Sequence, residues 1–161
     1  MWNEQIIMML LEGIKDTLYM TLTSTLIGYV IGLPMGILLT VTDKDGIHPN
    51  TAVYKVLDVI ANLIRSVPFL ILLIVLIPFT RFLIGRSYGP TATIVPLVIA
   101  AAPYIARMVE SSLKEVDAGV IEAARSMGAS NFTIVTKVML VEARTSLIVG
   151  ATISLGTILG Y

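Results

Sequence analysis

The chain has no cysteine and little charge, and each shortage excludes a class of protein. Without cysteine, neither a disulfide framework nor a thiolate site can form. Charged residues make up 14% of the 161 residues and apolar ones 56%, whereas ordinary soluble domains carry about 25% charge. The formal net charge is zero, which argues against a nucleic-acid partner. No histidine cluster, nucleophile–base pair or metal-ligand spacing is found, so we expect neither a catalytic nor a metal site.

Long uncharged runs predict an all-α transmembrane protein. Runs of about 18 or more apolar residues are long enough to cross a bilayer as helices. We expect one transmembrane domain over residues 1–161, with a polar segment at about 114–142. The predicted spans are 17–42, 56–80, 90–113 and 143–161.

The last predicted span is short for a membrane helix. Residues 145–161 carry no charged side chain. At about 1.5 Å per residue such a helix covers roughly 25 Å, less than the ~30 Å of a hydrocarbon core. A terminal carboxylate at that depth would be costly, so we expect the natural chain to continue beyond Tyr161.

Lys and Arg are distributed unevenly between the two sides of the predicted bundle. The loop at 42–58 and the segment at 107–144 lie on one side and hold seven basic residues, whereas the other side holds three. The side richer in Lys and Arg normally faces the cytoplasm. We therefore expect the N-terminus outside and the polar segment in the cytoplasm.

Small residues and prolines in the spans predict how the helices pack. Gly28, Gly32 and Gly36 form two overlapping G-x-x-x-G steps, which let helix backbones approach closely in lipid. We favour a contact within the chain over a contact between subunits. Kinked helices around a cavity, or kinks needed only for packing, are expected at five prolines that interrupt the spans: Pro34, Pro68, Pro78, Pro96 and Pro103.

Arg65 lies within a predicted span, where an ionisable residue is a functional-site hypothesis by default. It falls near the cytoplasmic end of the span, and Asp58 lies two helical turns earlier on the same face. We favour an arginine that snorkels to the interface or pairs with Asp58 over one that contacts a substrate. Arg65 and Pro68 are candidates for a structural or pathway role.

The polar segment between the third and fourth spans predicts two short helices around a sharp corner. Gly128 is suited to end the first helix, 120–127, in a left-handed conformation. Ser130 or Asn131 can cap the second helix, 132–142. Such a corner fits a groove on a soluble partner, although an ordinary amphipathic surface helix is the alternative. The apolar face of the first helix is predicted to be Ile121, Ala124 and Met127.

The spacing in this segment resembles the signature of membrane subunits of ATP-binding-cassette (ABC) importers. That signature reads Glu-Ala-Ala, three residues, Gly, nine residues, Ile, one residue, Leu-Pro. Val138 replaces the isoleucine conservatively, and Val141 replaces the proline, so a softer bend is expected there. The coupling positions implied for this chain are Glu122, Ala123, Ala124, Arg125, Gly128, Val138 and Leu140.

The resemblance extends over essentially the whole chain to the permease subunits of bacterial methionine importers. Those permeases have five spans, which agrees with a chain that continues beyond its fourth. The resemblance implies a type I ABC importer permease helical bundle, C-terminally truncated, in the plasma (inner) membrane of a bacterium. The motifs that carry it are TLYMT at 17–21, RSVPF at 65–69, IPFTR at 77–81 and APYIARMVE at 102–110.

The resemblance also implies partners. Two permease copies would sit on a homodimer of cytoplasmic ABC ATPases, and a periplasmic or lipoprotein binding protein would deliver L- or D-methionine. The sequence has no G-x-x-x-x-G-K-[ST] loop, so ATP and Mg²⁺ would be held by the ATPase, with no cofactor on this chain. Glu122 would anchor the docking helix through charge-assisted hydrogen bonds, Ala123 and Ala124 would permit close approach, and Gly128 would permit the corner.

Three alternatives stay open from the sequence. The same machinery could carry another amino acid or small solute. A secondary transporter would need a carboxylate near mid-membrane and an internal repeat, and neither is found. A purely structural membrane subunit would not need the glycine corner. Substrate contacts are not assigned.

Overall fold

The structure, a computed structural model, describes residues 3–161, and these residues form helices without any β-strand. The middle of the seventh helix, Ile134–Met139, has π-helical hydrogen bonding. In chain order the helices are α1 (Glu4–Thr42), α2 (Thr51–Ser66), α3 (Phe69–Val75), α4 (Ile77–Ile84), α5 (Pro90–Lys114), α6 (Ala118–Ser126), α7 (Asn131–Glu142) and α8 (Arg144–Leu159).

Helix α5 is the centre of the bundle. It packs most extensively against α1 and also contacts α2, α3, α4 and α8. Ile105 and Leu113 on α5 are almost fully buried. The same apolar core continues into α7 through Ile134 and Met139, so the polar segment is attached to the bundle by packing as well as by the chain.

Three glycines allow α1 to lie directly on α5. Gly28, Gly32 and Gly36 are all buried. A Cβ atom on Gly32 would lie 2.7 Å from the carbonyl oxygen of Ala102, and one on Gly36 would lie 2.5 Å from that of Ala106. Because real Cβ atoms do not approach backbone oxygens so closely, only glycine fits. The predicted contact within the chain is confirmed.

The opposite faces of the bundle are apolar and uncovered. Leu26 and Val30 on α1 are each 69% exposed, and Ile148 on α8 is 66% exposed. Small residues inside and large aliphatic residues outside are expected for helices that face lipid. Within residues 3–161, α1 and α5 are each long and apolar enough to cross a membrane. The number of crossings rises to four if each of two bent helix pairs counts as one span.

The second predicted span, 56–80, is not one helix. Helices α2 and α3 meet at an angle of 103°, and α4 begins after Leu76. Pro68 explains the first break because it has no backbone N–H to donate. Its ring also keeps the preceding residue, Val67, in an extended conformation with φ −86° and ψ 124°.

The other prolines have smaller effects on the helices. Helix α1 continues through Pro34, and α5 continues through Pro96 and Pro103. These three prolines therefore lie within continuous helices, and the kinks expected at them stay a prediction. Pro78 lies in the first turn of α4, where its missing N–H has no intrahelical acceptor to lose.

We predict that Gly36→Ala destabilises the bundle. The new methyl group would overlap the backbone of α5, and overpacking of this kind costs about 1–3 kcal/mol. The measurement is the temperature at which the detergent-solubilised protein loses its monodisperse peak in size-exclusion chromatography. Gly13→Ala is the matched control on the same helix, because nothing lies within 4 Å of a Cβ at that position. Equal thermal stability of the two variants would contradict the assigned contact.

Candidate functional site

Helix α6 is held by a side-chain cap at its start and by packing along one face. The side chain of Asp117 accepts a hydrogen bond from the backbone N–H of Gly119 at 2.7 Å, which satisfies a free donor of the first turn. Ala124 is 6% exposed, and Ile121 packs against the same core. Glu122 and Ala123 lie on the exposed face.

Gly128 forms the corner expected from the sequence. Its φ angle is +82°, a left-handed conformation that glycine adopts without strain. The N–H of Gly128 donates to the carbonyl of Arg125 at 2.9 Å, and the N–H of Ala129 donates to that of Ala124 at 3.1 Å. These two bonds are the pair that defines a Schellman motif. Ala124 and Ala129 also both contribute to the apolar core, which is the usual companion of this motif.

Helix α7 begins directly after the corner. The hydroxyl of Ser130 accepts a hydrogen bond from the backbone N–H of Thr133 at 3.3 Å, so of the two predicted caps Ser130 is the one observed. Val138 and Leu140 are partly buried against the core. Helices α7 and α8 then meet at 71°, so a sharp bend forms although Val141 stands where the signature has proline.

The signature positions thus divide into a surface and its support. Ala124, Val138 and Leu140 face the core. Glu122, Ala123 and Gly128 are exposed, and two large apolar residues near the glycine are exposed with them. Met127 is 82% exposed and Phe132 is 77% exposed. We define the corner surface as Glu122, Ala123, Met127, Gly128 and Phe132.

The placement of Met127 differs from the sequence-based prediction, which put it on one apolar face of the helix with Ile121 and Ala124. Met127 is the residue at which α6 ends, with φ −81° and ψ 4°, so its side chain no longer follows the helical face. Phe132 was not predicted as a surface residue at all. The sequence does contain an indication that Met127 and Phe132 are exposed. Both lie close to Gly128, where the chain turns sharply and a helical face cannot continue.

Arg125 has a structural partner outside the polar segment. Its guanidinium donates a hydrogen bond to the backbone carbonyl of Ile47 at 3.2 Å. Ile47 lies between α1 and α2. This bond ties α6 to the loop between α1 and α2.

A network of charged residues joins α5 to α1 and α2 close to α6. The carboxylate of Glu110, whose side chain is 6% exposed, accepts hydrogen bonds from Arg107 at 2.7 Å and Lys114 at 2.8 Å. Lys114 also pairs with Asp43 at 2.6 Å, and Arg107 pairs with Asp58 on α2. We call these five residues the charge network.

The charge network was missed in the sequence because Glu110 and Lys114 look like solvated residues at the end of a span. Arg107, Glu110 and Lys114 are nevertheless spaced three and four residues apart, which places them on one face of a helix. Their partners Asp43 and Asp58 come from other helices, and sequence spacing does not reveal such a pairing.

The pKa of Asp43 is lowered from its ordinary value of 3.8, chiefly by the hydrogen bond from Lys114. A carboxyl group whose pKa is lower in the folded protein stabilises the fold at pH values above its ordinary pKa. That contribution is lost as the pH falls through the lowered pKa. The link between α1 and α5 is therefore intact at physiological pH.

The expected pairing of Arg65 with Asp58 is wrong, because Asp58 binds Arg107 instead. The guanidinium of Arg65 lies over the ring of Tyr104, with 6.0 Å between its central carbon and the ring centroid. Arg65 also borders a cavity near Pro68. Within residues 3–161, no group of three or more His, Cys, Asp or Glu side chains is arranged to bind a metal ion.

Comparisons with known proteins identify close relatives. A family model described as "binding-protein-dependent transport system inner membrane component" matches residues 7–161. The chain is 49% identical to the D-methionine transport system permease protein MetI of Salmonella typhimurium (strain LT2), covering 99% of this chain and 73% of that protein. The identity to MetI of Escherichia coli (strain K12) is also 49%, with the same shares covered.

Solved structures give the same relationship. A structure of the MetNI methionine ABC transporter in an inward-facing conformation matches with a TM-score of 0.97 at 49% identity, covering 99% of this chain and 74% of that chain. A crystal structure of an amino acid ABC transporter with histidines matches with a TM-score of 0.71 at 23% identity, again covering 99% and 74%. The second match is a likeness of fold alone.

We predict that Glu110→Gln lowers the stability of the protein. The substitution removes the charge shared by Arg107 and Lys114, and a hydrogen bond to a charged group contributes about 2 kcal/mol. Thermal unfolding of the detergent-solubilised protein measures the effect. Glu115→Gln is the control, because Glu115 is exposed and forms no ion pair within the described part of the chain. A melting temperature of Glu110→Gln equal to that of the control would show that the charge network does not hold the helices together.

Proposed function

Because the chain belongs to the family of binding-protein-dependent transport system inner-membrane components, we propose that it is the permease subunit of an ATP-driven importer that carries methionine, L- or D-, into the cell. The observation that carries the proposal is the 49% identity to D-methionine permeases over 99% of the chain. The fold is that of a type I ABC importer permease, as the match to the MetNI methionine transporter shows.

The corner surface is the proposed docking site for the ATPase. It combines an exposed carboxylate, Glu122, with two exposed apolar side chains, Met127 and Phe132. Apolar anchors beside a charged group that can form charge-assisted hydrogen bonds suit a groove on a folded partner. Gly128 supplies the left-handed turn of the corner, and the position that a Cβ would occupy there is open, with nothing within 4 Å, so a partner can approach the backbone closely.

The partner proteins supply what this chain does not. A homodimer of cytoplasmic ABC ATPases binds ATP and Mg²⁺ and catalyses hydrolysis, so this subunit takes no catalytic role and holds no cofactor. A second permease copy completes the membrane pathway, and a periplasmic or lipoprotein binding protein delivers methionine. In this arrangement the N-terminus lies outside the cell and segment 114–142 lies in the cytoplasm of a bacterial cell, consistent with the bias of Lys and Arg.

The geometry suggests how a push on the corner surface moves the membrane helices. Helix α6 is attached to the core through Ala124 and to the loop between α1 and α2 through the bond from Arg125 to Ile47. The charge network holds α5 to the end of α1 and to α2. Closure of the ATPase dimer therefore acts on α1, α2 and α5 as one body, and their joint rotation changes which side of the membrane the pathway opens to.

Uptake of labelled methionine tests the proposed cargo. The full-length protein, its ATPase and its binding protein are expressed together in cells that lack their own methionine importer. We expect saturable, ATP-dependent uptake that excess unlabelled methionine abolishes and excess glutamine or histidine leaves intact. Equal inhibition by the other amino acids would show that the importer carries a different cargo.

We predict that Gly128→Asp and Glu122→Lys each reduce uptake at least about tenfold, which corresponds to ~1.4 kcal/mol of lost docking energy. The aspartate strains a left-handed position and adds bulk and charge to the corner surface, whereas the lysine reverses the charge of the anchor. Uptake and the amount of ATPase that co-purifies with the permease are measured together.

The control for Gly128→Asp is Gly85→Asp. Gly85 has nearly the same φ angle, +81°, and equally open surroundings, but it ends α4, far along the chain from the corner surface. Backbone strain and added charge are thus matched. Uptake by Gly128→Asp as high as by Gly85→Asp would contradict docking at the corner surface.

A further inference from the structure

Helix α2 turns its apolar side chains away from the bundle. Val56 is 59% exposed, Val59 is 61% exposed and Leu63 is 66% exposed. Within α2, which the structure describes completely, only Ala61 is buried, and no residue of this helix belongs to the apolar core. Because lipid chains solvate aliphatic side chains as well as other helices do, apolar packing contributes little to holding α2 in place.

The side of α2 that faces α5 is polar. Tyr54, Asp58 and Asn62 follow one another at intervals of four residues, which places them on one face of the helix. We call these three residues the polar face of α2. The hydroxyl of Tyr54 lies 3.5 Å from the carboxylate of Glu110 on α5. Asp58 and Asn62 both accept hydrogen bonds from Arg107, which also lies on α5.

Arg107 is the residue that joins the two helices. One terminal nitrogen of its guanidinium donates to the carboxylate of Glu110 on the same helix at 2.7 Å. The other donates to Asp58 and, at 3.1 Å, to Asn62 on α2. Hydrogen bonds between ionised groups are stronger than neutral ones, and hydrogen bonds between helices are one of the forces that join them in lipid. Helix α2 is therefore attached to α5 chiefly through one guanidinium.

Helix α1 is attached to α5 in two ways. Its end is linked to α5 by the ion pair between Lys114 and Asp43 at 2.6 Å. Its length is packed on α5 through Gly32 and Gly36, and this contact would remain if the ion pair were lost. A backbone hydrogen bond across the loop between α1 and α2 fastens only the start of α2, so the remainder of α2 depends on Arg107.

We propose that Arg107 is the positioning residue that makes α2 move together with α1 and α5 during transport. The inference rests on the proposed function, in which closure of the ATPase dimer rotates these helices. Arg107 acts through Asp58 and Asn62 rather than on the nucleotide or the cargo. Without this link, ATPase closure still moves α1 and α5, but α2 does not follow. ATP is then hydrolysed with little import, so the permease is uncoupled rather than detached from its ATPase.

The distance between α2 and α5 tests the inference directly. Residues 1–161 contain no cysteine, so spin labels can be attached at two introduced ones, Leu63→Cys on α2 and Ser111→Cys on α5, both at exposed positions. The full-length permease is purified with its ATPase, both otherwise free of cysteine. Labelled copies are diluted with unlabelled ones, so that each measured pair lies within one chain. Double electron–electron resonance gives the distance with and without a non-hydrolysable ATP analogue.

We expect one narrow distance in the labelled parent protein, unchanged by the nucleotide. Asp58→Ala combined with Asn62→Ala removes both side-chain acceptors on α2 and leaves the bond from Arg107 to Glu110 in place. In this double variant the distance should broaden and shift when the nucleotide binds. A parent distance that the nucleotide changes, or a double variant that stays as narrow and constant as the parent, would overturn the inference. The parent measurement decides even if the double variant fails to assemble.

Methionine uptake per ATP hydrolysed measures the functional consequence. The complex and its binding protein are reconstituted with liposomes, and both activities are measured on the same sample. Asp58→Ala with Asn62→Ala, and separately Arg107→Gln, should lower the ratio at least about tenfold while hydrolysis and co-purification of the ATPase persist. Arg107→Lys should recover part of the ratio, because it keeps the charge but not the fork of donors. A fall in hydrolysis as large as the fall in uptake would contradict the proposed role, because docking would then be lost.

Two controls separate coupling from general damage to the charge network. Asp43→Ala breaks the branch of the network that holds α1, where the glycine contact remains, and should transport like the wild type. Lys55→Ala removes an exposed charge from α2 and should do the same. A loss of coupling in Asp43→Ala equal to that in the double variant would overturn the inference. If the wild-type complex hydrolyses ATP but imports no methionine, the proposed cargo is wrong, and the distance measurement still decides the role of Arg107.

Discussion

The close contact between α1 and α5 is the constraint on which the rest of the structure depends. In lipid, apolar helices gain little from burying aliphatic side chains, so association relies on close packing of backbones. Gly32 and Gly36 bring α1 within direct reach of the carbonyl oxygens of Ala102 and Ala106. With α1 fixed in this way, its end lies beside Lys114, and α5 can serve as the common support for α2, α3, α4 and α8.

The corner surface and the charge network both lie on this support. The corner surface follows the end of α5 and is braced by a Schellman motif, by the core and by the bond from Arg125 to Ile47. The charge network precedes the corner surface along the chain and ties α5 to the end of α1 and to α2. The corner surface is therefore attached to helices that are held together by ion pairs.

Local features of the structure could be predicted from the sequence, and pairings between distant helices could not. The glycine steps of α1, the left-handed Gly128 and the cap at Ser130 follow from what each residue permits in its own backbone. The predicted pairing of Asp58 with Arg65 is wrong. Arg65 is seven residues away on the same helix, whereas the observed partner, Arg107, lies on another helix and cannot be found from sequence spacing. Met127 was misplaced because a helical face was extended past the residue at which the helix ends.

The most direct test of the account is native mass spectrometry of the full-length protein extracted gently from its own membranes. We expect a complex of two permease copies with two ATPase copies, which Glu122→Lys reduces and Glu115→Lys leaves intact. Recovery of the wild-type permease without any ATPase, under conditions that preserve other membrane complexes, would contradict the claim that the corner surface docks an ATPase.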